Sequence, residues 1–494
     1  MWELLSMKIQ DLFDKNQKYQ LDLLTNLIKS KQPIKKDVCL KRLNVSAFLL
    51  DRALEDLQDT LIELNLTMSL DFHSASDSIA LSNYTMKEFN SIYYHFSQTS
   101  INHSIIRYLY LNRNFNMYEL STHLSISIST LYRYIAYLNE QLEEFQLTIR
   151  NGSIQGDNLQ LCYFFYQFFW HSAPTKLITQ TITDYDLNQF INLLEKKLNV
   201  VFTQNSKIRI LLWCKILKRS NSRKSNVSQV ILKLIDEIQE DSAYKIIREC
   251  YFLSQSYSAF LGSDYNAAYI YIFLLSAFPS HSSILEELCE SSWPTKVHAI
   301  IDLNESILEK VCHYFKLDKK HVYDSLSFNH KHLLSSIHSG ILFFKGKIEK
   351  NEVDCLFLDI PKDFVYKDVT AKLIDWLGRK NLWNFNGINE VYLTWVYHDI
   401  ISAILNSNLS TITIGINLNK SPLIESLYTN SIKKIYITES YVHVEPATPN
   451  KKYDIIISDD ETAKWEYNFR FFYLMEEIQT DYGKPIREVL KNIE

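Results

Sequence analysis

A short segment occurs twice near the N-terminus, 81 residues apart, and it constrains the fold more than any other feature of the chain. Residues 43–57 read LNVSAFLLDRALEDL, and residues 124–138 read LSISISTLYRYIAYL. Both copies place apolar residues at helical spacing after a polar turn and keep one arginine, Arg52 or Arg133, between them. Each copy therefore predicts a short helix, a tight turn and a longer helix, which is the helix-turn-helix pattern. The second helix of such a motif enters the major groove of DNA.

A hairpin signal follows the second copy. Asn151-Gly152 separates two short alternating runs in the segment LTIRNGSIQ, and this pair favours a type I′ turn. A hairpin directly after the longer helix is the wing of a winged helix-turn-helix. After the first copy, residues 64–72 alternate apolar and polar side chains like a wing strand. The sequence thus predicts two winged units in tandem.

Composition bounds the rest of the chain. Its 494 residues are too many for one ordinary core and predict several domains. Only 9 Gly and 9 Pro favour a largely helical chain, and neither a P-loop nor a GxGxxG motif occurs. The seven cysteines are scattered without a CxxC pair, which favours reduced thiols over a disulfide framework or a zinc site. The start of the chain lacks a basic signal-peptide region and no apolar run could span a bilayer, so we expect a cytoplasmic protein without membrane contact.

The charge balance argues against a generally basic nucleic-acid binder. The formal net charge is −5, and residues 1–158 carry 15 Lys and Arg against 18 Asp and Glu. Any affinity for DNA must therefore come from local patches. One basic patch lies around the first copy and consists of Lys29, Lys31, Lys35, Lys36, Lys41 and Arg42.

The remaining chain divides into a helical part and a strand-containing part. Residues 160–405 are helical and very aromatic, and residues 268–273 (AYIYIF) resemble residues 391–396 (VYLTWV), as if each closed one of two bundles. From about residue 406 the pattern becomes strand–helix–strand, with strands expected at 410–416, 434–437 and 453–458. We expect a small parallel α/β domain there.

This order of elements resembles the Mga-type virulence regulators of Gram-positive bacteria (Mga/AtxA-like). The resemblance is sharpest over residues 115–170, which contain FNMYELSTHLSISISTLYRYIAYL, the Asn-Gly wing and the run YFFYQFFW. It implies a mainly α, multidomain chain with two winged helix-turn-helix units, two helical PTS-regulation domains (PRDs) and a small C-terminal enzyme IIB-like α/β domain. The expected boundaries are 1–66 and 67–158 for the winged units, 160–283 and 284–405 for the PRDs, and 406–494 for the last domain. The resemblance further implies a homodimer or higher oligomer that regulates transcription in response to sugar supply.

Small hydroxyl residues and one arginine surround the start of the second recognition helix. They can reach phosphates and base edges without steric or acidic repulsion, and a wing arginine can reach a neighbouring phosphate or minor groove. These candidates for DNA contact are Ser127, Ser129, Thr130, Tyr132, Arg133 and Arg150. The first unit offers Lys35, Lys36, Lys41, Arg42 and Arg52, but its helix also carries Asp51, Glu55 and Asp56, which DNA repels. An ordinary charged helical surface is the alternative for both sets.

Histidines are unevenly placed: seven of the 14 lie between His281 and His338. In PRDs a histidine can receive a phosphoryl group from the phosphocarrier protein of the sugar phosphotransferase system. By that resemblance the candidates are His332, His398 and His338 in the second bundle and His171 at the edge of the first. The alternative is that these are hydrogen-bonded core or surface histidines. The first bundle has residues such as Trp213 and Phe273 at the comparable places, which puts its phosphorylation in doubt.

No catalytic or metal site is expected, and no cofactor. His330, His332 and His338 lack the carboxylate that an HExxH site would supply. A working IIB enzyme needs a nucleophilic cysteine after its first strand, where this chain has Asn417-Leu418-Asn419. An enzyme of the phosphotransferase system is therefore the least favoured reading.

Two binding functions remain. The leading one is a regulator that binds double-stranded DNA, AT-rich or bent, with low sequence selectivity, because the acidic N-terminal part favours shape readout over a base code. The alternative is an RNA-binding PRD antiterminator, although such proteins begin with a small strand-rich domain.

Overall fold

The computed structural model describes residues 7, 9–30, 32–73, 77–182, 185–198, 201–220, 229–254, 264–277, 293–348, 366–379, 390–408, 411–419, 421–436 and 440–474. These residues are mainly helical, with three small sheets. No helix among them is both long and apolar enough to cross a bilayer.

The first winged unit contains three helices and a three-stranded antiparallel sheet. The helices are α1 (Lys15–Ser30), α2 (Lys36–Leu43) and α3 (Ala47–Glu63), and the strands are β1 (Ile34–Lys35), β2 (Ser69–His73) and β3 (Ser78–Ser82). Strand β3 lies in the middle and pairs with both others. The sheet therefore crosses the boundary that we expected between residues 66 and 67.

The second winged unit repeats this plan with a shorter wing. It contains α4 (Met86–Thr99), α5 (Ile101–Asn112), α6 (Met117–His123), α7 (Ile128–Leu142), β4 (Thr148–Arg150) and β5 (Ser153–Gln155). Asn151 and Gly152 have φ of 51° and 74°, the positive values that a type I′ turn requires. A Cβ on Gly152 would lie 2.1 Å from the carbonyl oxygen of Phe115, so only glycine fits at this point of the wing.

The sequence repeat corresponds to a repeat of local structure. Asn44 and Ser125 hold the turns at φ of 51° and 55°. Ser46 accepts a hydrogen bond from the Leu49 amide, and Ser127 accepts one from the Thr130 amide, so both longer helices begin with a serine N-cap. The shared apolar positions lie against the core, with Leu50, Leu54, Leu57, Leu131 and Leu138 all buried.

The N-terminal segment fastens the two units together. Residues Ile9–Leu12 form one 3-10 turn that lies against the second unit. The hydroxyl of Ser100 donates to the carbonyl of Leu12 at 2.6 Å, and the hydroxyl of Tyr137 donates to the carbonyl of Asp11 at 2.7 Å. These contacts join the start of the chain to α5 and to the recognition helix α7.

Twelve helices of the described chain follow before the last domain. They are α8 (Asn158–Ser172), α9 (Thr175–Thr181), α10 (Tyr185–Leu198), α11 (Gln204–Ser220), α12 (Gln229–Ile238), α13 (Ser242–Ser254), α14 (Asp264–Ala277), α15 (His298–Phe315), α16 (Lys319–Ser325), α17 (Phe328–Phe343), α18 (Lys367–Arg379) and α19 (Glu390–Asn408).

Four of these helices in each half share one packing scheme. In the first half α10 and α14 both pack against α11 and α13, and in the second half α15 and α19 both pack against α17 and α18. The two similar sequence runs lie in α14 and α19, which occupy corresponding places. The halves meet where α14 packs on α17, with the hydroxyl of Ser336 donating to the carbonyl of Ser276 at 3.1 Å.

The C-terminal domain contains a four-stranded parallel sheet. Its strands β6 (Ile412–Asn417), β7 (Val442–Pro446), β8 (Lys452–Ser458) and β9 (Asn468–Leu474) lie in the order β7-β6-β8-β9. Helix α20 (Pro422–Ile435) connects β6 to β7 and packs on both. The expected parallel α/β arrangement is present in the described residues.

One expected strand of this domain is wrong. Residues 434 and 435, which we assigned to a strand at 434–437, form the end of helix α20, and the true strand is Val442–Pro446. Thr429, Ile432 and Tyr436 are buried at helical spacing, so tertiary packing overrides the β-branched character of this run.

Candidate nucleic-acid interface

The exposed side of α7 carries the residues that the sequence singled out. Ser129, Tyr132 and Arg133 are exposed, and Tyr132 is 60% exposed. The hydroxyl of Ser127 lies 2.9 Å from that of Ser129 and 2.8 Å from that of Thr130, and Arg133 donates to the Thr130 hydroxyl at 3.5 Å. One hydrogen-bonded polar group thus occupies the first turns of the helix, and it includes four of the six candidates, with Tyr132 exposed beside it.

The charge on this side of α7 suits an anionic partner. The helix has no acidic residue before Glu140, in its fourth turn. The unsatisfied amides at the start of a helix also carry partial positive charge. The sixth candidate, Arg150, is exposed at the end of β4, next to the wing turn. Arg133 near the helix start and Arg150 at the wing are therefore the positive groups of this exposed surface.

Asn139 fixes the position of the wing relative to the recognition helix. Its side-chain oxygen accepts hydrogen bonds from the Ile149 amide at 2.6 Å and from the Thr148 hydroxyl at 3.3 Å. Its side-chain nitrogen donates to the carbonyl of Ile149 at 3.2 Å. Sequence reasoning missed this residue, because a single Asn inside an amphipathic helix carries no pattern that reveals a contact with a strand ten residues further on.

The opposite side of α7 is occupied by protein. The hydroxyl of Tyr134 donates to the carboxylate of Asp14 at 3.3 Å, and Tyr137 contacts the same N-terminal segment. Burial raises the pKa of Asp14 above its ordinary value and raises the pKa of Tyr137 to about 12. This side of α7 is therefore held against the N-terminal segment, and the side with Ser129 and Arg133 is exposed to solvent.

The first unit presents a different surface at the corresponding positions. Phe48, Leu49 and Asp51 stand where the second unit has Ser129, Thr130 and Tyr132, and Phe48 is 73% exposed. Two of its candidate cations contact carboxylates on α3: Lys36 pairs with Asp51 at 3.0 Å, and Arg52 lies 3.7 Å from Asp56. The other three, Lys35, Lys41 and Arg42, are exposed around α2.

Three of the four histidine candidates are buried. His332, His338 and His398 are 0%, 0% and 6% exposed, whereas His171 is half-buried at the end of α8. One ring nitrogen of His338 lies 2.6 Å from the side-chain oxygen of Asn304, and the other lies 2.9 Å from the hydroxyl of Tyr397. Burial lowers the pKa of His338 to about 3 and that of His398 to about 4, so both rings are neutral at pH 7.

The first bundle lacks histidines at the corresponding helix. The segment Asn205-Ser206-Lys207 opens α11 as Asn329-His330-Lys331 opens α17. In this register Ile208 and Cys214 stand in the places of His332 and His338, and both are buried; Trp213, which we expected at such a place, corresponds to Ile337. The histidine pair is thus a feature of the second bundle alone.

The loop after β6 satisfies its amides with the protein's own carboxylates. The amide of Leu418 donates to Glu425 at 3.3 Å, and the amide of Asn419 donates to Asp459 at 2.7 Å. A phosphate cradle needs such amides to point at the ligand, and here acidic side chains occupy them. Within 411–419, 421–436 and 440–474 the domain also has no cysteine.

The second winged unit is similar in sequence to a known protein family. A family model described as the Mga helix-turn-helix domain matches residues 85–169. A curated Streptococcus pneumoniae protein named "Putative trans-acting regulator" is 27% identical over 164 residues, which is 33% of this chain and 32% of that protein. The matched part of this chain thus corresponds to about a third of the relative. Residues 85–169 begin at α4 and end within α8, so they contain the whole second winged unit. Residues 85–169 of this chain are therefore similar to the Mga helix-turn-helix domain, and this similarity covers the second winged unit.

Proposed function

We propose that this protein is a transcriptional regulator that binds double-stranded DNA through its second winged unit. The observation that carries the proposal is the exposed start of α7, where small hydroxyls and Arg133 lie together with no carboxylate before Glu140. Arg150 on the wing supplies a second positive group within the same unit. Helix and wing together match the way in which winged motifs contact a groove and the flanking phosphates. The Mga domain match and the name of the Streptococcus pneumoniae relative support this function.

In this proposal the first winged unit assists rather than reads the sequence. Its recognition helix presents Phe48 and Asp51 at the leading positions, and Asp51 is paired with Lys36. A carboxylate at that place is repelled by DNA phosphates. Lys35, Lys41 and Arg42 lie outside this pair and can contact the DNA backbone. Affinity should be moderate, steeply dependent on salt and only weakly dependent on sequence, with a preference for AT-rich or bendable duplexes.

Competition between duplex DNA and hairpin RNA tests the proposal against the RNA-binding alternative. We expect an unlabelled AT-rich duplex to displace a labelled duplex at much lower concentration than a hairpin RNA of equal charge. Lys233→Gln, which removes an exposed cation from α12, should leave binding unchanged. Stronger competition by the RNA would favour the antiterminator, and binding of neither would contradict both.

We also propose that the two bundles are PRDs and that the second responds to the phosphocarrier protein. Support comes from their shared packing scheme and from the placement of His332 and His398 on the mutually packed helices α17 and α19. A phosphoryl group would bring roughly 1.5–2 negative charges into a region that excludes water. Because both rings are buried, transfer requires the bundle to open, which would couple phosphorylation to helix packing.

A phosphotransfer assay separates the candidate histidines. The full chain, the phosphocarrier and labelled phosphoenolpyruvate with its transferring enzyme are combined, and incorporated label is measured. His332→Ala and His398→Ala should reduce incorporation, His338→Ala should reduce it less, and His171→Ala should leave it unchanged. Loss of label only in His171→Ala would move the modified site to the first bundle, and an unlabelled wild type would contradict this part of the proposal.

We further propose that the C-terminal domain serves in oligomer formation and not in catalysis. Its first loop has no cysteine through which a phosphoryl group could be relayed, and the amides of Leu418 and Asn419 donate to Glu425 and Asp459. Regulation by pairing of protomers needs a surface for dimer or higher-oligomer formation. Light scattering on the full chain, before and after phosphotransfer, should show a change in the mean molar mass of the particles in solution. A monomer in both states would contradict the proposed role in oligomer formation.

A further inference from the structure

A cleft of about 740 Å³ lies between the second winged unit and the first bundle. Its walls come from α4 and α5 of the winged unit on one side and from α8, α9 and α11 on the other. Its volume falls within the 300–1,000 Å³ that is typical of small-molecule sites. It is separate from the exposed side of α7 and from the histidines of the second bundle, so the functions proposed above do not use it.

The charged residues that line this cleft are all basic. Its described lining contains five basic residues and no Asp or Glu: Arg107, Arg113, Lys215, Lys218 and Arg219. This contrasts with a chain whose formal net charge is −5. Like charges gathered in a partly buried cleft repel one another, and an anion placed among them relieves that repulsion.

Arg107 has the environment of an anion-binding group. It donates to the side-chain oxygen of Gln98 at 2.6 Å and to the carbonyls of Ser97 and Gln98 at 2.8 and 3.0 Å. All three acceptors are neutral, so these bonds fix the guanidinium and leave its full charge. Arg107 is half-buried, and this burial lowers the pKa of its guanidinium.

The adjacent cations are also held in position by backbone carbonyls. Arg219 donates to the carbonyl of Tyr110 at 2.7 Å and lies over the Tyr110 ring, 5.1 Å from its centroid. Arg113 donates to the carbonyl of Arg219 at 3.4 Å. Lys218 differs, because it pairs with the carboxylate of Asp186 at 3.3 Å. The guanidinium groups are thus pre-positioned by the fold, which reduces the entropy lost when a ligand binds.

The remaining lining is aromatic and aliphatic. Phe168 and Phe169 face the cleft together with Tyr110, and Leu177 and Leu212 add aliphatic surface. The ring centroids of Tyr110 and Phe169 lie 4.6 Å apart in an edge-to-face arrangement. A wall of this kind favours a flat or apolar group, whereas a site for a bare inorganic ion would be fully polar.

We propose that this cleft binds a small organic phosphate that carries a ring, of about the size of a nucleoside monophosphate. The phosphate would lie among Arg107, Arg113 and Arg219, and the ring would lie against the aromatic wall. Because the walls belong to the winged unit and to the first bundle, the ligand stabilises one relative placement of the two. It therefore provides a route by which the first bundle, which lacks the histidine pair, influences the DNA-binding unit.

Calorimetric titration of the full chain in the absence of DNA tests this proposal independently of the DNA-binding function. The probes are adenosine 5′-monophosphate, glucose 6-phosphate, adenosine and inorganic phosphate. We expect saturable binding of at least one of the two organic phosphates, and at least tenfold weaker binding of adenosine and of inorganic phosphate. The better of the two phosphates also identifies whether the ring is aromatic or a sugar.

Two variants and one control connect binding to the cleft. Arg107→Gln removes the fixed charge, and Ala173→Trp fills the cleft without removing any charge; each should weaken binding at least tenfold. Lys233→Gln should bind like the wild type. Circular dichroism verifies folding, and if Arg107→Gln unfolds, Ala173→Trp alone decides. Saturable binding that neither folded variant changes, or no saturable binding of either organic phosphate at millimolar concentration, would overturn the proposal. Weakened duplex-DNA binding by Arg107→Gln without any small-molecule binding would instead assign these cations to the DNA backbone.

Discussion

Replacing Asn139 by alanine should release the wing from the recognition helix. Asn139 makes three hydrogen bonds to β4, and two of them satisfy the amide and the carbonyl of Ile149, whose residue is only 5% exposed. Each such bond contributes about 0.5–1.5 kcal/mol net, and the buried partners left behind add a desolvation cost. We therefore expect the free energy of local opening of the hairpin to fall by about 2 kcal/mol.

Hydrogen exchange measures this opening directly. A loss of about 2 kcal/mol corresponds to roughly a 30-fold faster exchange of the Ile149 amide, under conditions where exchange reports the opening equilibrium. Amides in the middle of α7, such as that of Leu138, should exchange at nearly the wild-type rate. DNA affinity should also fall, because Arg150 would no longer be held at a fixed place beside the helix.

A matched asparagine provides the control. Asn112 lies at the end of α5 and makes one exposed hydrogen bond, to the carbonyl of Tyr108 at 3.3 Å. Asn112→Ala should leave exchange of the Ile149 amide and DNA binding unchanged. An unchanged exchange rate in Asn139→Ala would refute the claim that this side chain holds the wing.

Three further predictions concern the wing turn, the first unit and the second bundle. Gly152→Ala forces a Cβ to within 2.1 Å of the Phe115 carbonyl at a φ of 74°, so we expect a loss of about 1–3 kcal/mol, seen as a lower thermal midpoint; an unchanged midpoint would contradict the turn geometry. Asp51→Asn breaks the ion pair with Lys36 and removes a carboxylate that DNA phosphates repel. The affinity for duplex DNA should therefore rise severalfold at low salt and by less at high salt. Weaker binding by this variant would exclude DNA contact at this helix. Burial lowers the pKa of His338 to about 3 in the folded protein, whereas the ordinary value of about 6.5 applies to the unfolded chain. Between these two pH values the ring is protonated only in the unfolded chain. The free energy of unfolding should therefore decrease as the pH falls below about 6.5. His338→Phe should reduce that slope by up to about 1.4 kcal/mol per pH unit in denaturant titrations, whereas an unchanged slope would show that this ring is protonated in the folded protein.

The local parts of the fold followed from the sequence because their signals are local. A turn residue, a serine cap and three apolar positions recur together in residues 43–57 and 124–138, and each has its physical cause within one or two helical turns. The Asn151-Gly152 turn is equally local, since both residues tolerate the positive φ that the hairpin needs.

The features that the sequence predicted wrongly or did not indicate depend on contacts between residues that are distant in the chain. Strand β1 pairs Ile34 with Ile79, and no short pattern around Ile34 indicates that partner. The run at 434–437 has strand-like composition, but packing of Ile432 against the sheet makes its first part the end of a helix. The cleft beside Arg107 gathers cations from two regions about a hundred residues apart, so it could only be recognised once α5 and α11 were seen together.

The central claim is that the second winged unit, and not the first, reads DNA. The two arginines at the repeated position, Arg52 and Arg133, allow a matched comparison by salt-titrated gel shift on one AT-rich duplex. Arg133→Ala should bind about tenfold more weakly and lower the salt slope by about one, as expected for the loss of one groove or phosphate contact, while Arg52→Ala should change affinity less than threefold. Equal binding by Arg133→Ala and the wild type, with a clear loss in Arg52→Ala, would contradict the account and transfer DNA recognition to the first unit.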